Sequence, residues 1–249
     1  MDVVKYLLIL LIAHVLGDFY FQTEKMTKSK EEQYTGILIH SLEYFIVSMC
    51  VMIPIISWDM LLASLYSSML HFLIDSIKYM LIKRKKVIKE GKIFIWDQGF
   101  HVLSILILSY IMFCWNFNIS SYQIINDIFD AYGIEKVMFI RRILVLLCLG
   151  KPSNILIQNI LSGYKPQEKG KAELITVDNR VGRRIGVLER LILLMFIAMN
   201  QYAALGLVLT AKSIARYDKI AKDEKFAEYY LLGTLLSTAC VVTCKMLFL

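Results

Sequence analysis

Apolar runs about as long as a bilayer is thick recur along the whole chain. They cover Val3–Phe21, Gly36–Ile56, Met60–Ile82, Ile93–Trp115, Ile185–Leu209 and Phe226–Leu249, with a shorter run at Val137–Leu149. The hydrocarbon core of a bilayer is about 30 Å across, which a helix of about 20 residues spans at about 1.5 Å per residue. Inside lipid every backbone polar group must be satisfied internally, so only helices and closed barrels are open to such a chain. Three prolines and 12 glycines in 249 residues are too few for the many turns of a barrel. The sequence therefore predicts an all-α fold, a polytopic transmembrane helical bundle of six or seven spans. The count turns on Val137–Leu149, which carries Arg141 and Arg142 and ends at Gly150-Lys151-Pro152. It reads as a short or kinked span or as an interfacial helix.

Composition agrees. Hydrophobic residues make up 57% and charged residues 20%, and the mean hydropathy is +0.58. Soluble domains average about 45–50% apolar and about 25% charged. These values exclude a soluble globular enzyme, a disordered chain and a nucleic-acid binder recognised only by its charge, and no nucleic-acid partner is expected. Lys5 followed by Tyr6–Ala13 looks like a signal peptide, but no small-residue cleavage site follows, and the segment reads as a permanent span. The five cysteines, Cys50, Cys114, Cys148, Cys240 and Cys244, sit in apolar runs rather than in a disulfide framework, and read as polarizable packing residues. The chain divides into a four-span bundle at 1–115, a region of loop, short or interfacial helices and polar connector at 116–185, and a two-span hairpin at 186–249.

The net charge of +7 has a local meaning. Lys and Arg collect in cytoplasmic loops of membrane proteins. The 83–92 loop carries six of them in ten residues and is expected in the cytoplasm. Loop 22–35, with Lys25, Lys28 and Lys30, then lies on the same side, and the acidic loop 116–136 on the other. Beyond it the basic connectors 151–185 and 212–225 conflict, because a single span between them would put them on opposite faces.

The chemistry lies in the histidines. The four of them, His14, His40, His71 and His101, fall one in each of the first four apolar runs. Three have an aspartate four residues away (His14/Asp18, His71/Asp75, Asp97/His101), and His40 has Glu43 three residues on. That spacing places both groups on one helix face. Ten aspartates in 249 residues make three such pairings far more than random spacing supplies. Counting about 1.5 Å per residue from the cytoplasmic ends puts these groups roughly 6–16 Å deep in all four spans, at one level of the bundle. Ionisable groups inside spans are costly and usually mark a site. Four imidazoles and three carboxylates exceed the needs of one tetrahedral zinc and suit two divalent metals, Zn, Mn or Fe. The expected ligands are His14, Asp18, His40, His71, Asp75, Asp97 and His101. Asp75 and Asp97 would supply the anionic, catalytic ligands, and Lys78, three residues after Asp75, would neutralise a substrate anion. The same pairs can instead be buried couples that fix helix packing.

Several stretches carry a resemblance: Ala13-His14-Val15-Leu16-Gly17-Asp18-Phe19-Tyr20-Phe21-Gln22, Leu70-His71-Phe72-Leu73-Ile74-Asp75-Ser76-Ile77-Lys78 and Asp97-Gln98-Gly99-Phe100-His101. With Ile185–Arg190, Ala211–Tyr217 and Ala227–Ser237, they resemble a bacterial and phage membrane-protein family known as a domain of unknown function. More distantly, His40-Ser41-Leu42 and His71-x-x-x-Asp75, within residues 10–105, are similar to metal-dependent hydrolases of bacterial inner membranes. Ile39 here stands where those hydrolases have a Thr. The resemblance implies a multi-pass protein of the bacterial cytoplasmic membrane.

The C-terminal half holds a second set of charges: Glu189, Arg190, Lys212, Arg216 and Glu228. Lys212 and Arg216 share a helix face, and Glu228 reaches them if the 218–225 connector folds back. The set suits an interhelical ion pair with interfacial anchoring, or a clamp for a phosphate or lipid headgroup. Asn200 and Gln201, in the middle of the sixth run, either bridge to a neighbour or mark a break. Three functions stay open: a membrane-embedded metal-dependent hydrolase of a membrane-associated ester or phosphoester, with anionic or lipid-linked substrates as partners; a non-enzymatic structural or partner subunit; and a divalent-metal carrier.

Overall fold

The computed structural model describes residues 2–55, 57–84, 90–164 and 172–249. Half of the basic 83–92 loop and part of the 151–185 connector lie outside them. Every regular element among the described residues is helical. Six segments are long and apolar enough to cross a membrane: Val3–Phe21, Tyr34–Ile55, Trp58–Lys83, Ile93–Cys114, Lys136–Leu161 and Glu224–Phe248. The protein is an all-α, multi-pass helical bundle. It divides into two units, Met1–Leu147 and Cys148–Leu249.

In the first unit α1 (Asp2–Val15) runs into a wide π-helical turn at Leu16–Phe21. The polar α2 (Glu24–Glu32) starts where the Thr23 hydroxyl accepts a hydrogen bond from the Met26 amide at 3.2 Å, a helix N-cap. Extended backbone at Gln33 breaks the chain before α3 (Tyr34–Met52). Pro54 falls in the short 3-10 turn that ends α3. Ser57 then caps α4 (Trp58–Arg84) by accepting from the Met60 amide at 3.2 Å. The set is completed by α5 (Glu90–Cys114), α6 (Gln123–Ala131) and α7 (Lys136–Leu149).

α1 packs on α3 and α5, and α4 packs on the same two helices, so the four close a ring. One end of the ring is filled by Tyr6, Ile9, Leu10, Met52, Met60, Ala63, Ile105, Leu108 and Met112. The 116–122 loop seals it: the Tyr6 hydroxyl donates to the Phe117 carbonyl, and the Asn118 amide donates to Asp59 Oδ2 at 2.7 Å. Buried serines line the α3–α4 seam, with Ser48 Oγ and Ser64 Oγ 3.2 Å apart, as small polar residues do where helices meet in lipid. The outward face is apolar, with Leu42, Ile46, Leu73, Ile77 and Phe100 exposed, and lipid solvates such a surface.

The second unit holds α8 (Lys151–Leu161), α9 (Ala172–Ala198), α10 (Tyr202–Ile214), α11 (Tyr217–Lys222) and α12 (Glu224–Phe248). The sixth apolar run is divided. α9 ends at Ala198, Asn200 takes a left-handed φ of 57°, and a new helix begins at Tyr202. The chain doubles back there, because Lys212 Nζ lies 2.7 Å from Glu189 Oε2. Twenty-three residues of straight helix would hold those two about 35 Å apart. Ile185–Leu209 is therefore the end of the long α9 and most of the short α10 folded back on it, where the sequence suggests one span of a two-span pair. The break falls where two consecutive polar side chains interrupt the apolar run.

Candidate metal centre

Each helix of the ring delivers one histidine to the same level, opposite the apolar plug. His14 is on α1, His40 on α3, His71 on α4 and His101 on α5, and all four are buried. The ring centroids of His71 and His101 are 4.2 Å apart; those of His14 and His101, and of His40 and His71, are 5.2 Å apart. The residues were recognisable as partners along single helices, and along those helices they are only loosely paired. The separations are 4.0 Å for His14/Asp18, 3.6 Å for His71/Asp75, 3.7 Å for Asp97/His101 and 3.8 Å for His40/Glu43. The short contacts run between helices, because groups one turn apart both point inward and meet the tips of facing side chains.

Asp18 is the hub of one half. Its Oδ1 lies 2.7 Å from His71 Nε2 and 3.1 Å from His40 Nε2. Gln98 braces it, donating to Asp18 Oδ2 at 3.4 Å, with its own Oε1 3.3 Å from His14 Nε2. The π-helical turn that carries Asp18 is a feature often found at functional sites. It packs closely on α3: a Cβ at Gly17 would lie 2.8 Å from the Tyr44 ring.

The other half contains Asp75, Asp97 and His101. His101 Nε2 is 3.8 Å from Asp75 Oδ1 and 3.7 Å from Asp97 Oδ1. These three atoms are buried, and none has a hydrogen-bond partner. Two sets of possible ligands therefore share no residue: Asp18, His40 and His71, and Asp75, Asp97 and His101. Two atoms bound to one metal at about 2.0–2.2 Å lie roughly 3 Å apart, so both sets are near that spacing. A third set, His14, His71 and His101, overlaps them and leaves His14 able to serve either half.

The far oxygens of the two aspartates face cations. Lys30 Nζ lies 2.6 Å from Asp75 Oδ2, and Lys78 Nζ donates to Asp97 Oδ2 at 2.8 Å. Lys30 comes from α2, held against α3 at Gly36, where a Cβ would fall 2.5 Å from the Ser29 backbone. With Gln22, Thr27 and Tyr79, the two lysines line a cleft that opens the cluster to the exterior. With neutral imidazoles, three aspartates against two lysines leave the core negative, which favours a further cation.

Residues 6–129 match the model of a family described as "Protein of unknown function (DUF3307)". This stretch is a domain of unknown function. No curated protein and no solved structure matches the chain. The DUF3307 match runs from within α1 through α5, and so takes in all of the site residues described above. Lys30 and Gly36 were missed as site residues in the sequence. Lys30 sits in a polar stretch that reads as a loop, and its only signal is the Thr23 cap followed by nine helix-compatible residues.

Outside the DUF3307 match, the second unit places the remaining charges. Lys212 pairs with Glu189 and also lies 3.1 Å from Thr234 Oγ1. Arg190 is fully buried and donates to the Leu149 carbonyl at 2.7 Å, the Gly150 carbonyl at 3.4 Å and Asn154 Oδ1 at 2.7 Å. It thus caps the carbonyls of Leu149 and Gly150, just before α8. Arg216 is half-buried at the start of α11. Glu228 is exposed on α12, and among the described residues it joins neither Lys212 nor Arg216. The returning α10 brings Lys212 to Glu189 instead.

Proposed function

We propose that the α1–α5 cluster binds two divalent metals and hydrolyses a membrane-associated phosphoester or ester, in the cytoplasmic membrane of a bacterium. The observation that carries this reading is the set of three buried ligand atoms that face one another at 3.7–3.8 Å and make no hydrogen bond: Asp75 Oδ1, Asp97 Oδ1 and His101 Nε2. Buried polar atoms without partners are rare and call for an explanation, and an ion is one. Asp75, Asp97 and His101 would hold one metal; Asp18, His40 and His71 the other, with His14 beside both. Zn, Mn and Fe suit this mixed nitrogen and oxygen set. Bound there, a metal pair supplies a water activated near neutral pH and a clamp for an oxyanion.

The chain's own groups do the rest. Gln98 orients Asp18 through its amide, and Lys30 and Lys78 fix the outward oxygens of Asp75 and Asp97. The apolar plug closes the opposite end, and the cleft at Lys30 and Lys78 gives substrate and water a way in. That closure speaks against a carrier, which needs polar groups at successive depths. One observation favours the structural reading: Asp18 already bridges His40 and His71 without help.

Metal analysis of detergent-purified protein separates the two. The hydrolase reading expects bound divalent metal in the wild type, its loss in Asp75→Asn with the fold retained, and metal-dependent release of phosphate or headgroup from membrane substrates. Metal-free wild-type protein, or full biological activity in Asp75→Asn and His101→Ala, would overturn it.

A further inference from the structure

The cleft above the cluster has a charge pattern that a metal site alone does not require. Asp75 and Asp97 each turn one oxygen toward His101 and the other toward a lysine. The inward oxygens are unpartnered, so a cation can enter between them without displacing Lys30 or Lys78. Before it enters, each lysine is balanced by its own aspartate. Afterwards the carboxylates are shared with a dication, and the two ammonium groups at the mouth carry uncompensated charge. Beside the lysines the lining is tied up in itself: the Gln22 amide donates to the Thr27 hydroxyl at 2.7 Å, which donates to the Thr23 carbonyl at 3.2 Å. Besides Asp75, the acidic lining residue is Glu31, which is exposed. Attraction across such a small, partly buried mouth is much stronger than in bulk water.

We infer that Lys30 and Lys78 form an anion subsite for a phosphate group, assembled only when metal occupies the Asp75–Asp97–His101 set. The inference rests on the metal reading above. It names the substrate as a phosphate-bearing anion rather than a neutral ester. Lys30 and Lys78 touch that group directly, and Gly36 positions Lys30 by seating α2. Because binding energies are linked, phosphate must tighten metal binding by the same factor as metal tightens phosphate binding.

The test measures metal affinity of the full-length protein in nanodiscs, by competition with a chelating dye. It uses neutral lipid, neutral lipid plus inorganic phosphate, and lipid doped with phosphatidic acid. The expected result is at least about a tenfold gain in metal affinity with a phosphate source. The phosphate arm alone points to a soluble substrate, and the phosphatidic acid arm alone to a lipid headgroup. Lys30→Met and Lys78→Met should still bind metal and lose that gain; Lys30→Arg should keep most of it. Where a Met variant fails to fold, the matching Gln variant takes its place. Metal binding indifferent to both phosphate sources, or a gain that survives both substitutions, overturns the subsite and leaves the metal reading standing. Failure of the wild type to bind metal removes both.

Discussion

Gly36→Ala tests whether α2 is seated as tightly as the structure places it. The added Cβ would lie 2.5 Å from both the carbonyl carbon and oxygen of Ser29, and 2.6 Å from its hydroxyl. Backbone atoms cannot rotate away, so α2 must retreat by roughly 1 Å to reach ordinary contact near 3.5–4 Å. Lys30 follows Ser29 directly, and its 2.6 Å contact with Asp75 stretches with that movement. Overpacking of this kind costs about 1–3 kcal/mol. Weakening a buried pair adds to it, up to about 3–5 kcal/mol where one partner is lost outright. Better helix propensity returns at most about 1 kcal/mol. The expected net loss is about 2–4 kcal/mol. Gly99→Ala is the internal control: it lies in α5 with nothing within 4 Å of its would-be Cβ, so only the propensity gain remains. Unfolding of the detergent-solubilised protein, by heat or by titration with a denaturing detergent, should therefore move in opposite directions for the two variants. A Gly36→Ala protein as stable as wild type would refute the seating of α2, and with it the placement of Lys30 at Asp75.

Two further outcomes concern the second unit. Arg190→Lys replaces a planar fork that reaches three acceptors with a point charge, so at least one buried carbonyl loses its partner; a loss of about 1–3 kcal/mol is expected in the same unfolding assay, and an unchanged midpoint would sink the capping role. The doubling back at Asn200 predicts that the two flanking connectors lie on one face of the membrane. Cysteines introduced as Tyr164→Cys and Asp218→Cys, in a background without native cysteines, should react with an impermeant maleimide from the same side, and labelling from opposite sides contradicts the hairpin.

That doubling back resolves a conflict the sequence could pose but not answer. The run Ile185–Leu209 has the length of a span, and a local apolar pattern carries no record of the direction the chain takes after a break. The 2.7 Å pair of Lys212 with Glu189 carries it: the sequence named both as candidates for an ion pair, and which charges meet depends on the fold. The first four spans were legible because lipid forces helix on any apolar run of that length. The histidines and aspartates were legible as residues sharing faces, since the three-to-four spacing is a property of one helix. Which of them touch was not: Asp18 meets His71 and His40 across helix interfaces, closer than it meets His14 on its own helix. Lys30 was hidden for a related reason. A nine-residue polar helix between two spans has no apolar stripe, and its placement rests on one glycine contact in space.

His101 bears most directly on why the cluster exists. Its Nε2 is buried without a hydrogen bond, as are the two aspartate oxygens it faces at 3.7 and 3.8 Å. Each unsatisfied buried group costs about 1–3 kcal/mol. Three of them are a heavy load on a fold whose total stability is of order 5–15 kcal/mol. Were the cluster present only to fix helix packing, apolar side chains of similar volume would do so at lower cost. His101→Leu turns this into a measurement. In metal-free protein the substitution removes an unsatisfied atom and keeps the volume, so stability should hold or rise by about 1–3 kcal/mol. In wild type, metal at a hundredfold excess over its dissociation constant should add about 2.7 kcal/mol, and His101→Leu should lose most of that increment. A structural couple behaves in the opposite way: metal-free His101→Leu would fall by 2 kcal/mol or more, roughly the loss of a buried hydrogen-bonded group, and metal would stabilise neither protein.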